Sequence, residues 1–146
     1  MYDEILCATD GSPGSAAAVE QACYLADLAD ARLHALFVVD ETIAGADGWD
    51  VVVEREEERG ERALDAVAAA GAERRVPVEK HLRRGRPHEA ILDAADDYDA
   101  DLIAMGTHGR TGVGRFLAAG SVAERVVRHS EAPVLTARLD ERETRA

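Results

Sequence analysis

Asp101-Leu102-Ile103-Ala104-Met105-Gly106 runs directly into Thr107-His108-Gly109-Arg110-Thr111-Gly112-Val113-Gly114. The run from Leu102 to Gly106 carries no charge and no polar alternation, as a strand must when both of its faces are covered in a parallel sheet. The glycines at 106, 109, 112 and 114 then leave a backbone that a ligand can approach without a Cβ in the way. The stretch therefore reads as a central strand that ends in a glycine-rich loop.

Toward the N-terminus, Ile5-Leu6-Cys7-Ala8 is a second buried run, closed by Thr9-Asp10-Gly11-Ser12-Pro13. Ser12 as N-cap and Pro13 at the first helical position start a helix. Val19, Ala22, Cys23, Ala26 and Ala29 give that helix an apolar stripe, with Cys23 as a core thiol. Leu33 to Val39 is the next strand, and residues 40–49 form a loop. A long helix follows from about Asp50 to Ala70. Val53, Gly60, Leu64 and Val67 are its buried stripe, Gly60 allowing close approach to the sheet, and Glu54 to Arg62 reads as a solvated face. Val76 to Leu82 alternates as a third, more exposed strand. Gly85-Arg86-Pro87 opens a helix with Ala90, Ile91, Ala94, Ala95 and Tyr98 inward. Beyond the glycine loop, Gly120-Ser121 opens a helix to about His129 with Val122, Val126 and Val127 inward. Pro133 to Ala137 is the last strand.

Strands alternating with helices imply an α/β fold, a three-layer sandwich around a five-stranded parallel sheet of Rossmann-like type. One domain spans residues 1–139 and a charged tail residues 140–146. Ligands of such sheets bind beyond the carboxyl ends of the strands, where strand order reverses. Two loops are placed for that role: Thr9-Asp10-Gly11-Ser12, and Gly106 to Ser121.

Composition narrows the chemistry. Among 146 residues, 29 are acidic and 17 basic, a formal net charge of −12. Lys80 is the sole lysine, so Schiff-base chemistry has no other candidate, and no G-x-x-x-x-G-K-[ST] phosphate loop exists. The charge opposes non-specific nucleic-acid binding. Cys7 and Cys23 are too few for a disulfide scaffold or a zinc cluster. The expectation is a cytoplasmic protein with no membrane segment and no signal peptide. Acid-rich, lysine-poor composition points to a halophilic source, whose dense salt screens self-repulsion. A GC-rich genome is the alternative; it accounts for arginine over lysine but not for the charge.

Loop amides, a helix N-terminus and the Ser121 hydroxyl make an anion site, with phosphate the natural guest and Arg110 and Arg115 as added cations. The alternative is a flexible glycine loop that binds nothing. The loop is not a dinucleotide fingerprint, because Gly112-x-Gly114 lacks the third glycine and follows a late strand.

The chain resembles the universal stress proteins of the UspA type. The matching pieces are Ile5 to Ser12, Val38-Val39-Asp40, Gly85-x-Pro87, Asp101 to Arg110, Gly120-Ser121-Val122-Ala123-Glu124-Arg125-Val126 and Pro133-Val134-Leu135. The resemblance implies the adenine-nucleotide α-hydrolase-like variant of the fold. ATP-binding members share a G-x2-G-x9-G-[ST] pattern. Here Gly106-x2-Gly109 fits, but ten residues, Arg110 to Ala119, precede Gly120. By position, the resemblance implies that Gly109, Gly120 and Ser121 hold phosphates, with Val122 beside them and Arg110 within reach; His108 has two readings, a phosphate contact or a solvated loop histidine. It implies that Val38 meets adenine through its backbone, that Ala8, Thr9 and Asp10 line adenine and ribose, and that Met105-Gly106 floors the pocket. Asp10 can accept from sugar hydroxyls or approach a metal; a turn-forming or capping role is the other reading of it. ATP, with Mg²⁺, is the implied cofactor.

No catalytic constellation is legible, and His34, His81, His88, His108 and His129 lack metal-ligand spacing, so no metal site is read. The expected function is a nucleotide-binding stress-response switch rather than an enzyme, slow ATP hydrolysis aside. A non-nucleotide dimeric interaction module of the same family is the alternative. The last strand, apolar and at the end of the chain, is expected at a sheet edge, where it would pair two copies through Val134 and Leu135.

Overall fold

In the computed structural model, which describes residues 1–41, 49–107 and 121–138, alternate residues of each central strand enter different layers. Ile5 and Cys7 of β1 (Glu4–Ala8) pack into one apolar cluster, and Leu6 and Ala8 into another. That is the period of two expected of a strand covered on both faces. The same division holds in β2 (Arg32–Asp40), with Leu33, Ala35, Phe37 and Val39 on one side and Leu36 and Val38 on the other.

The first layer is made by α1 (Pro13–Ala29) and α2 (Trp49–Glu73), which contribute Val19, Ala22, Cys23, Leu64 and Val67. The opposite layer is α3 (Pro87–Asp97) and α4 (Val122–His129), which bring Ile91, Ala94, Ala95, Ala123 and Val126. Between them lie β1, β2, β3 (Val78–Gly85), β4 (Leu102–Gly106) and β5 (Val134–Ala137), all parallel, in the order β3-β2-β1-β4-β5. The α/β, three-layer, five-stranded parallel reading of the sequence is therefore correct. Each large side chain buried in this sandwich, Phe37, Ile5 and Leu36 among them, is worth about 1.5–3 kcal/mol.

Local chemistry sets the element ends. Ser12 caps α1, its Oγ accepting from the Ser15 N–H at 3.2 Å, and Pro13 follows at the first helical position. Gly60 is where α2 meets the sheet: a Cβ there would stand 2.6 Å from Phe37 Cδ1. Several expected details shift. Ala29 and Val127 are exposed, because the apolar stripes of α1 and α4 run out before those positions. The third strand begins at Val78 rather than Val76, since the Val76 N–H is tied back to Gly71 O at the end of α2. The Glu54–Arg62 stretch is not wholly solvated: Glu56, Glu57 and Arg59 are half-buried, and Glu57 pairs with Arg84 of β3. The tail from residue 140 lies outside the described residues.

Candidate functional site

Strand order reverses between β1 and β4. From β1 the chain steps outward to β2 and β3, and then returns across β1 to place β4 and β5 on its other side. Cys7 stands opposite Ala104, so the segments that follow β1 and β4 leave the sheet side by side at their carboxyl ends. Crevices of this kind hold ligands in doubly wound sheets. The candidate residues Ala8, Thr9 and Asp10 thus sit beside Met105 and Gly106. Val38 lies near the same end of the neighbouring β2, two residues past the Ala8–Leu36 pair.

The turn after β1 is heavily bonded. Thr9 is buried, and its N–H donates to Leu36 O at 2.9 Å. Gly11 takes φ +80°, a left-handed conformation that a side chain would strain, and its N–H donates to Thr9 Oγ1 at 3.2 Å. Asp10 Oδ1 accepts from the Ser12 N–H at 2.9 Å and from Ser15 Oγ at 2.6 Å, while the Asp10 N–H donates back to Ser15 Oγ at 3.1 Å. Asp10 thus fills the turn-forming role: its carboxylate fastens the strand end to the first turn of α1.

Gly106 meets that same turn. A Cβ on residue 106 would stand 2.8 Å from both the carbonyl carbon and the oxygen of Gly14 and 3.0 Å from the Ser15 nitrogen. Met105 is buried in the α3–α4 layer, and the Thr107 N–H donates to Ala137 O at 3.0 Å, extending the β4–β5 pairing past the strand. Ser121 is buried and caps α4, its Oγ accepting from the Glu124 N–H at 3.1 Å. Val122 is half-buried against the cluster that holds Ala8 and Met105, so the start of α4 sits over this end of the sheet. The candidate residues His108, Gly109, Arg110 and Gly120, and the ten-residue gap with them, lie outside the described residues.

Two features escaped the sequence reading. Arg59, half-buried on α2, brings its Nε to within 3.8 Å of the position of a Gly11 Cβ. It and Arg62 stand on the wall of a groove of about 730 Å³ between α1 and α2 that reaches Thr9, Gly11 and Ser12. A cation beside this turn was masked by the acid-rich run around it. At the other end of the sheet, His34 and His81 come together although their linear spacing gives no sign of it. Both thiols are buried and held in the protonated form: burial, with Cys23 nearby, pushes Cys7 up to about 12, and burial also raises Cys23.

Comparison with known proteins agrees with this architecture. The model of the universal stress protein family matches residues 1–138. A universal stress protein of Methanocaldococcus jannaschii is 35% identical over 147 residues, covering 98% of this chain and 86% of the relative. The structure of UspA from Lactobacillus plantarum superposes with a TM-score of 0.77 at 29% identity, covering 94% of this chain and 98% of that one. A universal stress protein solved in complex with cAMP also shares the fold, with a TM-score of 0.77 at 24% identity over 95% of this chain and 99% of its own.

Proposed function

The chain belongs to the universal stress protein family, and from that premise and the geometry of the crevice we propose that it is an adenine-nucleotide-binding switch whose ligand is ATP with Mg²⁺. One observation carries the reading: the ends of β1 and β4 and the capped N-terminus of α4 gather at the point where strand order reverses. The residues present fit such a ligand. The first N–H groups of α4 favour an anion, Ser121 stands at their head, and Arg59 adds a cation beside the opposite turn. Thr9, Asp10 and the backbone at Val38 would take the nucleoside, Met105 and Gly106 the floor, and Gly109, Gly120 and Ser121 the phosphates. Bound Mg²⁺ would neutralise phosphate charge in a protein that is itself strongly acidic. The neighbour that holds cAMP supports an adenine nucleotide as the guest.

The proposed role is binding rather than turnover, with conformational state set by the nucleotide. A cytoplasmic location and a homodimer paired along β5 belong to the same reading. β5 is an edge strand, and its Val134 and Leu135 are half-buried.

Calorimetry with ATP and Mg²⁺ in molar KCl tests the proposal. Binding by the wild type, lost in Gly120→Val, is the expected result. If the wild type binds nothing while deletion of Ala119 creates binding, the longer glycine loop has closed the site. The interaction-module reading then stands in its place.

A further inference from the structure

At the amino ends of β2 and β3, opposite the crevice, three potential metal ligands converge. Parallel pairing sets His34 against Glu79, and His81 lies two residues further along β3 on the same face. His34 Nδ1 is 3.0 Å from His81 Nε2 and 3.7 Å from Glu79 Oε2, and all three ligand atoms lie within 4.8 Å of one another. We propose that His34, His81 and Glu79 form a binding site for a divalent cation of the zinc class, separate from the nucleotide site.

The chemistry of the donors favours such an ion. Zinc-class cations take imidazole nitrogen and carboxylate oxygen at about 2.0–2.2 Å, so two ligands of one tetrahedral ion stand roughly 3.3–3.5 Å apart. The two separations from His34 Nδ1, 3.0 and 3.7 Å, bracket that value. His34 is oriented from behind: its Nε2 lies 2.6 Å from Glu4 Oε2. A carboxylate only accepts, so Nε2 carries the proton and Nδ1 keeps its lone pair toward the other two ligands. This carboxylate–histidine arrangement recurs behind metal-bound imidazoles, where it fixes the ring and raises its basicity.

Tyr98, at the end of α3, holds the rings in place. Its ring stacks on His81 at 4.1 Å and on His34 at 4.9 Å, with interplanar angles of 18° and 3°. The two imidazoles are thereby held nearly parallel, with their facing nitrogens directed into one space. Arg83 also stands over the Tyr98 ring, donates to its hydroxyl at 3.1 Å and is paired with Asp97 at 2.7 Å, which offsets its repulsion of a cation. Without metal, the His81 Nε2–H donates to His34 Nδ1. On binding, His81 takes the tautomer with its proton on Nδ1, and the ion occupies the place of the shared proton. Glu79 is exposed, so the third ligand swings in from solvent and a fourth position stays open to water or to a partner's ligand.

Titration of the metal-free protein with Co²⁺, followed by visible absorption, tests the site, with thermal melts run first on every variant. The expected result is a single Co²⁺ per chain with an intense d–d band, displaced by Zn²⁺ and not by millimolar Mg²⁺. His81→Asn should abolish the band, Glu79→Gln should weaken binding by at least about tenfold, and His88→Asn should leave it unchanged. Absence of a band, displacement by Mg²⁺, or equal affinity in wild type and Glu79→Gln would overturn the proposal. Should His81→Asn fail to fold, Glu79→Gln decides the matter alone, because that side chain packs against nothing the fold requires.

Discussion

Gly106, at the end of β4, lies against the backbone of Gly14 in the first turn of α1, so close that a Cβ would stand 2.8 Å from the Gly14 carbonyl. The obstacle is main chain, which cannot swing aside as a side chain would. Any residue larger than glycine at 106 must therefore push α1 from the sheet or bend β4. Gly106→Ala should cost about 1–3 kcal/mol, the usual range for overpacking, and lower Tm by roughly 2–4 °C per kcal/mol. Because α1 also carries Ser12 and Ser15, which hold Asp10, nucleotide affinity should fall with it. Melting curves with and without ATP check both parts; a variant as stable as wild type would mean that α1 yields at no cost.

Asp101 binds the start of β4 to the start of the chain. Its Oδ2 accepts from the Glu4 N–H at 3.0 Å and the Asp3 N–H at 2.8 Å, and these bonds hold the carboxyl below its usual range. A depressed folded value means that the contribution is present above the ordinary carboxylate range and lost as pH falls through the folded value. Asp101→Asn should thus be less stable at neutral pH, by no more than about 1 kcal/mol for a half-buried carboxylate that solvent still screens. Melts across a pH series should show the gap between the two proteins closing in acid; a gap independent of pH would show that charge plays no part.

Much of this fold was legible because its strands are apolar runs and its helices carry stripes. Ile5–Ala8 and Leu102–Gly106 announce themselves as buried strands, and Ser12-Pro13 marks a helix start by its capping chemistry alone. Gly60 could be read as a close approach because it interrupts an otherwise apolar stripe. What was not legible depends on register. His34, Glu79 and His81 meet because α2, between β2 and β3, returns the chain so that His34 falls opposite Glu79, and that offset is written in packing rather than in local pattern. Arg59 was hidden differently, as one cation in a run of alternating charge whose half-buried side depends on where α2 crosses α1. Asp10 was legible as a turn residue, but not that Ser15 would share its carboxylate.

Salt should stabilise this protein. Described ion pairs such as Lys80 with Asp65 and Arg74 with Asp27 are exposed and individually worth about 0–1 kcal/mol, and salt weakens them. Against them stands the self-repulsion of a net charge of −12, which salt screens. With one cationic side chain for nearly every two acids, repulsion outweighs pairing. Tm should rise by several degrees from low to molar KCl. A flat or falling curve would trace the composition to codon bias instead of a high-salt interior.

Ser121 separates two duties that one hydroxyl can serve. As the N-cap of α4, its Oγ accepts from the Glu124 N–H; as a phosphate ligand it would donate its own hydrogen toward the nucleotide. Substitution by alanine removes both, so Ser121→Ala should lose about 1 kcal/mol of stability and also some ATP affinity. That result alone would not tell the duties apart. Aspartate is as good a cap as serine, and it complements the positive end of the helix. Ser121→Asp should therefore melt at or above the wild-type temperature. Yet its carboxylate stands where phosphate oxygens would lie, and like charges at such a distance repel strongly, so ATP binding should weaken by at least about tenfold, or 1.4 kcal/mol. The two measurements, a melt and an ATP titration on the same variant, thus move in opposite directions. If Ser121→Asp binds ATP as well as wild type, the phosphates do not lie at the start of α4. If Ser121→Asp weakens binding and Ser121→Ala does not, the phosphates lie there but take no hydrogen bond from the hydroxyl, and the α4 amides alone hold them.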